Sequence, residues 1–149
     1  MAALETVLKI VGEWQPDSLP TELRYRDSLT ALIRERLKDA KVETEYRHSG
    51  TTIDIYVKQQ GFLVASEVFV ELKRNLLQKA QLDRLVGQLH GLQPNRNKIV
   101  VVLCGETNPA LVTRFKELFP SAFAEVIWDE RMMTLVVKPD TAKAARSGA

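Results

Sequence analysis

The stretch TTIDIYVKQQGFLVASEVFVELK, from Thr51 to Lys73, decides how the chain reads. In its first part Ile53, Ile55 and Val57 alternate with Thr52, Asp54 and Tyr56, and in its last part Val68, Val70 and Leu72 alternate with Phe69, Glu71 and Lys73. A period of two marks a strand with one face buried. Gln59-Gln60-Gly61 supplies a turn between the two runs, so an antiparallel hairpin is predicted. Side chains two apart share a face, which puts Glu71 and Lys73 on one side of their strand and Asp54 on the polar side of its own. Two carboxylates and an ammonium brought together are costly, because the acids repel and each charge loses hydration. A divalent cation would neutralise them.

Upstream, Leu4, Val7, Leu8 and Val11 have helical spacing, ended by Gly12 and Pro16, and Pro16 to Pro20 reads as a linker. A second helix is expected from Thr21 to Asp39, with Leu29, Leu32, Ile33 and Leu37 on one stripe. A strand over 42–48 and a Ser49-Gly50 turn complete a three-stranded meander. The third strand ends at Lys73; its start within 62–73 stays open, because Ser66-Glu67 interrupts the apolar run.

Downstream, a third helix is predicted over Leu76–Leu92, with Leu82, Leu85, Val86 and Leu89 inward. The continuous apolar run from Ile99 to Cys104 has the form of a strand buried on both faces. Strand, helix and strand in that order predict a parallel crossover. Asn108 and Pro109 open a fourth helix that reaches Phe119 and is closed by Pro120. Two last strands are expected at 122–128 and 132–137 around an Asp129-Glu130-Arg131 turn. The tail from Pro139 to Ala149 has no periodic apolar residues and is expected to be disordered. A chain of 149 residues can bury one sizeable core. The expectation is therefore one α/β domain over 1–138, with residues 1–20 as N-terminal helix and linker.

The 21 basic and 19 acidic residues leave a net charge of +2, which permits a nucleic-acid partner without demanding one. The single cysteine, Cys104, excludes an intrachain disulfide and a cysteine-based zinc site, and its apolar neighbours suggest core packing. No apolar run approaches the ~18 residues of a membrane span. With Glu5 near the start and no basic leader, no export signal and a cytoplasmic location are expected. A Walker-type phosphate loop and a serine nucleophile elbow are absent, which removes the usual nucleotide and serine hydrolases.

A helix, a meander bearing Asp54 and then Glu71-Leu72-Lys73, a helix with Gly87-Gln88 and a valine-rich strand together resemble the PD-(D/E)xK, restriction-endonuclease-like superfamily. The resemblance covers about residues 21 to 105. Ile53 stands where a proline often precedes the aspartate, a departure that leaves the carboxylate's role intact. The resemblance implies an α/β sandwich, a mixed central sheet flanked by helices, and Mg²⁺- or Mn²⁺-dependent hydrolysis of phosphodiesters, with DNA the expected substrate. A hard cation of this kind takes carboxylate, carbonyl and water oxygens. Asp54 and Glu71 would supply the carboxylates and the backbone carbonyl of Leu72 a third ligand, while Lys73 would orient the attacking water or meet the charge developing on phosphate oxygens.

Superfamily members often add an acid from the first core helix. At 100° per residue Glu22 projects within about 20° of Leu29, whereas Asp27 lies on roughly the opposite face. Glu22 therefore has two readings, a further metal ligand or an ion pair with Arg26 one turn later. Gln81, Arg84 and Gln88 fall within about 60° of one another beside the leucine stripe. Related enzymes place a glutamine on this helix near the catalytic centre, so Gln88 is the member favoured for catalysis; a boundary glutamine is the alternative. Arg47, Lys58, Arg74 and Arg84, with His48 and Lys79, are candidates for phosphate contacts. Glu43, Glu45 and Arg47 are expected on one solvated strand face, and His90 has no partner at ligand spacing. No helix-turn-helix or zinc finger is visible, so sequence specificity would come from loops, an additional protein or a homodimer. The alternatives are a noncatalytic nucleic-acid-binding or assembly module with the same fold, and an RNA nuclease.

Overall fold

The computed structural model describes residues 3–48, 50–61, 63–92, 98–120 and 133–139. Strands β1 (Lys41–His48), β2 (Thr51–Gln59), β3 (Ser66–Arg74), β4 (Lys98–Cys104) and β5 (Met133–Lys138) form one sheet in the order β1-β2-β3-β4-β5. The first three are antiparallel and β4 and β5 continue in parallel, so the sheet is mixed. Helices α1 (Ala3–Glu13) and α2 (Glu22–Arg36) cover one face, where Val7, Val11, Leu29 and Ile33 pack on Ile55, Val57, Val70 and Val102. Helices α3 (Lys79–Leu92) and α4 (Pro109–Leu118) cover the other, where Leu82, Leu85, Leu89 and Phe115 pack on Phe69, Val101 and Leu103. This α/β architecture with a mixed sheet agrees with the reading of the sequence. The expected strand at 122–128, the 129–131 turn and residues 140–149 of the tail lie outside the described residues. Among the described residues no helix is long and apolar enough to cross a membrane.

Local chemistry sets the boundaries. Thr21 caps α2 by accepting the Arg24 amide at 3.2 Å, and Asn108 caps α4 by accepting that of Ala110 at 3.0 Å, with Pro109 in the first turn. The third helix begins at Lys79 rather than Leu76 because Leu76 is buried and its carbonyl accepts the Asn108 amide at 2.9 Å. Gln81 then reaches back to the Leu77 and Gln78 amides at 2.9 and 3.0 Å, the reciprocal half of a capping box. At the ends of β3 and β4, Asn75 and Gly105 both take left-handed backbone conformations (φ 55° and 71°). Asn75 Oδ1 accepts the Glu106 amide at 2.8 Å, and a Cβ on Gly105 would collide with that same oxygen.

The expected alternation fails. The alternation read through β2 reverses at Asp54, since Ile53 belongs to the core under α3 and Ile55 to the core under α2. On β1 the same reversal occurs, with Val42 in the α2 core and Tyr46 packed against the α3 core, stacked on Tyr56 at 3.9 Å. The register stays constant, Thr44↔Ile55 before and Tyr46↔Ile53 after, so Glu45 and Asp54 face each other without pairing. Glu45 has φ 53°, which turns the strand over. Glu43 and Arg47 therefore lie on opposite sides of β1, contrary to the single solvated face expected.

Candidate metal centre

The reversal is what builds the site. The ladder between β2 and β3 runs from Gln59↔Ser66 to Ile55↔Val70 and stops one row before Asp54 and Glu71. Beyond that row the end of the β1–β2 hairpin turns toward α3, where Thr51 Oγ1 would lie 3.2 Å from a Cβ on Gly91, a position that glycine keeps open. On its other side β3 keeps pairing with β4 as far as Arg74↔Cys104. Where β2 leaves, side chains replace the ladder: the Asp54 amide donates to Glu71 Oε1 at 3.1 Å, and the Leu72 amide donates to Asp54 Oδ2 at 2.8 Å. The N–H and C=O of a strand residue leave on the same edge, so the Leu72 carbonyl is directed to the side on which its amide meets Asp54.

The two acids are electrostatically unbalanced. Glu71 is only 3% exposed, and burial, followed by the charge of Asp54, pushes its carboxyl up to about 9. Burial also raises Asp54, against the Leu72 amide, which favours its ionised form. Two carboxylates this close, Glu71 buried and Asp54 half-buried, do not both ionise at neutral pH without a counter-charge. Each spends one oxygen on a main-chain amide and keeps the other for a shared proton or a cation. The donor set, all hard oxygen, thus fits Mg²⁺ or Mn²⁺.

Glu22, in the first turn of α2, lies at the end of β3. Its Oε2 accepts the Arg74 amide at 3.2 Å and stands 3.9 Å from Lys73 Nζ. The expected pairing with Arg26 is not made: Arg26 pairs instead with Glu45 at 3.0 Å and Asp27 at 3.2 Å. Among the described residues no group of three or more His, Cys, Asp or Glu is placed to hold an ion. The Glu22 carboxylate raises Asp54 and Glu71 through space, and its near contact is the Lys73 ammonium.

Of the remaining candidates, Gln88 is exposed on α3 and makes no hydrogen bond to Asp54, Glu71 or Lys73 among the described residues. Gln81 serves as the helix cap, and Arg84 is exposed. Arg47 is exposed beyond the reversal, opposite Thr52. Lys58 lies four residues along β2 from Asp54, about 13 Å away, in the row of Lys41 and Glu67 toward the other end of the sheet. Arg74 Nε donates to the Leu19 carbonyl at 3.1 Å, tying the linker to β3. The residue that sequence reasoning missed is Arg26, whose partner Glu45 is 19 residues away on another element; no local pattern announces that contact. No family model, curated protein or solved structure matches this chain.

Proposed function

We propose that the protein is a divalent-metal-dependent nuclease of the PD-(D/E)xK type that hydrolyses DNA phosphodiester bonds. One observation supports this above others: β2 and β3 part where Asp54 faces Glu71, leaving a buried and a half-buried acid together in need of a counter-charge, with Lys73 two residues on. Asp54 and Glu71 would hold Mg²⁺ or Mn²⁺, with the Leu72 carbonyl and water completing the shell. When bound, the cation polarises a phosphate and lowers the pKa of its water. Lys73, partly exposed at 23%, brings a positive charge to the place where negative charge develops on phosphate oxygens. Glu22 holds that ammonium near the end of β3. Two such centres in a homodimer would cut both strands of a duplex.

The test is incubation of the purified protein with linear, branched and single-stranded DNA, and with RNA, in Mg²⁺ or Mn²⁺. Metal-dependent nicking is expected, and Lys73→Ala should abolish it while leaving folding and binding intact. A second reading, a noncatalytic nucleic-acid-binding or assembly module, is favoured by the fact that each carboxylate already accepts a main-chain amide and so has a structural role. Binding without metal-dependent cleavage of any substrate would decide for the module.

A further inference from the structure

We infer that Arg26 and Glu45 form a clasp that positions Asp54, by holding β1 in the turned-over conformation that lets the aspartate reach across to β3. Glu45 has φ 53°, a region that non-glycine residues occupy only where the surroundings hold them. Its side chain is 69% exposed and is not part of either core. Among the described residues its hydrogen-bond and ion-pair partner is the Arg26 guanidinium, Nη1 to Oε1 at 3.0 Å.

Arg26 is a firm anchor. It projects from α2, is 14% exposed, and its Nε and Nη2 are fixed on Asp27 Oδ1 at 3.4 and 3.2 Å. A planar fork engaged at two acids has a defined orientation that an ammonium does not reproduce. The α2 helix thus grips β1 at the residue facing Asp54, the point where both strands reverse. Arg26 is also close enough to Asp54 to favour its ionised form. On the far side of Asp54, the Leu72 amide depends on Asp54 Oδ2 where the ladder has ended. Leu72 therefore reports whether Asp54 is in position, whatever the site does.

The experiment is amide hydrogen exchange by NMR on the metal-free protein, read at Leu72 against Val101, an interior β4 residue paired on both sides. Arg26→Ala and Glu45→Ala should each speed Leu72 exchange at least tenfold relative to Val101, with Arg26→Lys in between. The double variant should be no more than threefold faster than the faster single, because the two residues act as one device. Asp27→Ala, which loosens the anchor but leaves the Arg26–Glu45 contact, should have a smaller effect than either single alanine variant. Unchanged Leu72 exchange in both alanine variants, additive effects in the double variant, or an equal effect of Asp27→Ala would overturn the clasp. The consequence for metal rests on the nuclease reading: Mn²⁺ titrated calorimetrically should bind Arg26→Ala at least fivefold more weakly than the native protein. A native protein that binds no Mn²⁺ sinks the metal site, and the Leu72 measurement still decides the clasp.

Discussion

Replacing Glu71 with glutamine should remove a pH dependence from the protein's stability. The glutamine oxygen can still accept the Asp54 amide, and its NH₂ can donate to the Asp54 carboxylate, so the packing is preserved. What changes is the proton. Burial and the Asp54 charge lift the native carboxyl from 4.5 to about 9, so between those values the folded protein binds a proton that the unfolded chain has released. Stability therefore falls as pH rises through that window, being fully present below 4.5 and fully lost above 9. At ~1.4 kcal/mol per pH unit, the native protein loses about 1 kcal/mol by pH 5 and about 3 kcal/mol by pH 7 through this one group. The assay is urea unfolding of both proteins in EDTA at pH 5, 6, 7 and 8. The stability of Glu71→Gln relative to native should climb by roughly 1 kcal/mol per pH unit. Parallel pH profiles for the two proteins would refute the account of a buried Glu71 that retains its proton beside Asp54. Saturating Mg²⁺ should flatten the native profile, because the cation replaces the proton.

Three further outcomes follow from the geometry. Asp54→Asn keeps an acceptor for the Leu72 amide but loses the charge, so Mn²⁺ affinity measured by calorimetry should fall at least tenfold while the melting temperature holds. Lys58→Ala, about 13 Å along the strand from Asp54, should leave DNA cleavage within twofold of native, and a large loss would mean that the substrate crosses the far end of the sheet. Thr21→Ala removes the α2 cap bonded to Arg24 and should cost about 1 kcal/mol in chemical denaturation, with a cleavage loss from the disturbed Glu22 beside it.

Much of this architecture was written in local signals. The Asn108-Pro109 cap, the apolar run of β4 and the Glu71-x-Lys73 spacing each depend on chemistry within a few residues, and each has its structural counterpart. The site was legible as a pair of acids on neighbouring strands, and the structure brings Asp54 and Glu71 together. Its geometry was not legible. A glutamate with φ 53° has no propensity signature, because the conformation is imposed by tertiary contacts rather than by the residue. Once Glu45 turns over, alternation stops reporting which face a residue occupies, which is why Ile53 and Ile55 read as neighbours and belong to different cores. The Arg26 pairing expected of Glu22 failed for a similar reason: helical spacing offered Arg26, and the fold supplied Lys73 and Arg74 instead.

The turned-over residue also bears on how the molecule keeps its own company. Among the described residues β1 is one of the two edge strands, and its outer margin carries main-chain donors and acceptors that an extended peptide could zip onto. The kink at Glu45 splits that margin into two stretches of three or four residues whose groups point along different directions. Short stretches with a twist between them make a poorer template for an invading chain than one long flat edge, so the feature that aims an aspartate inward also blunts this flank.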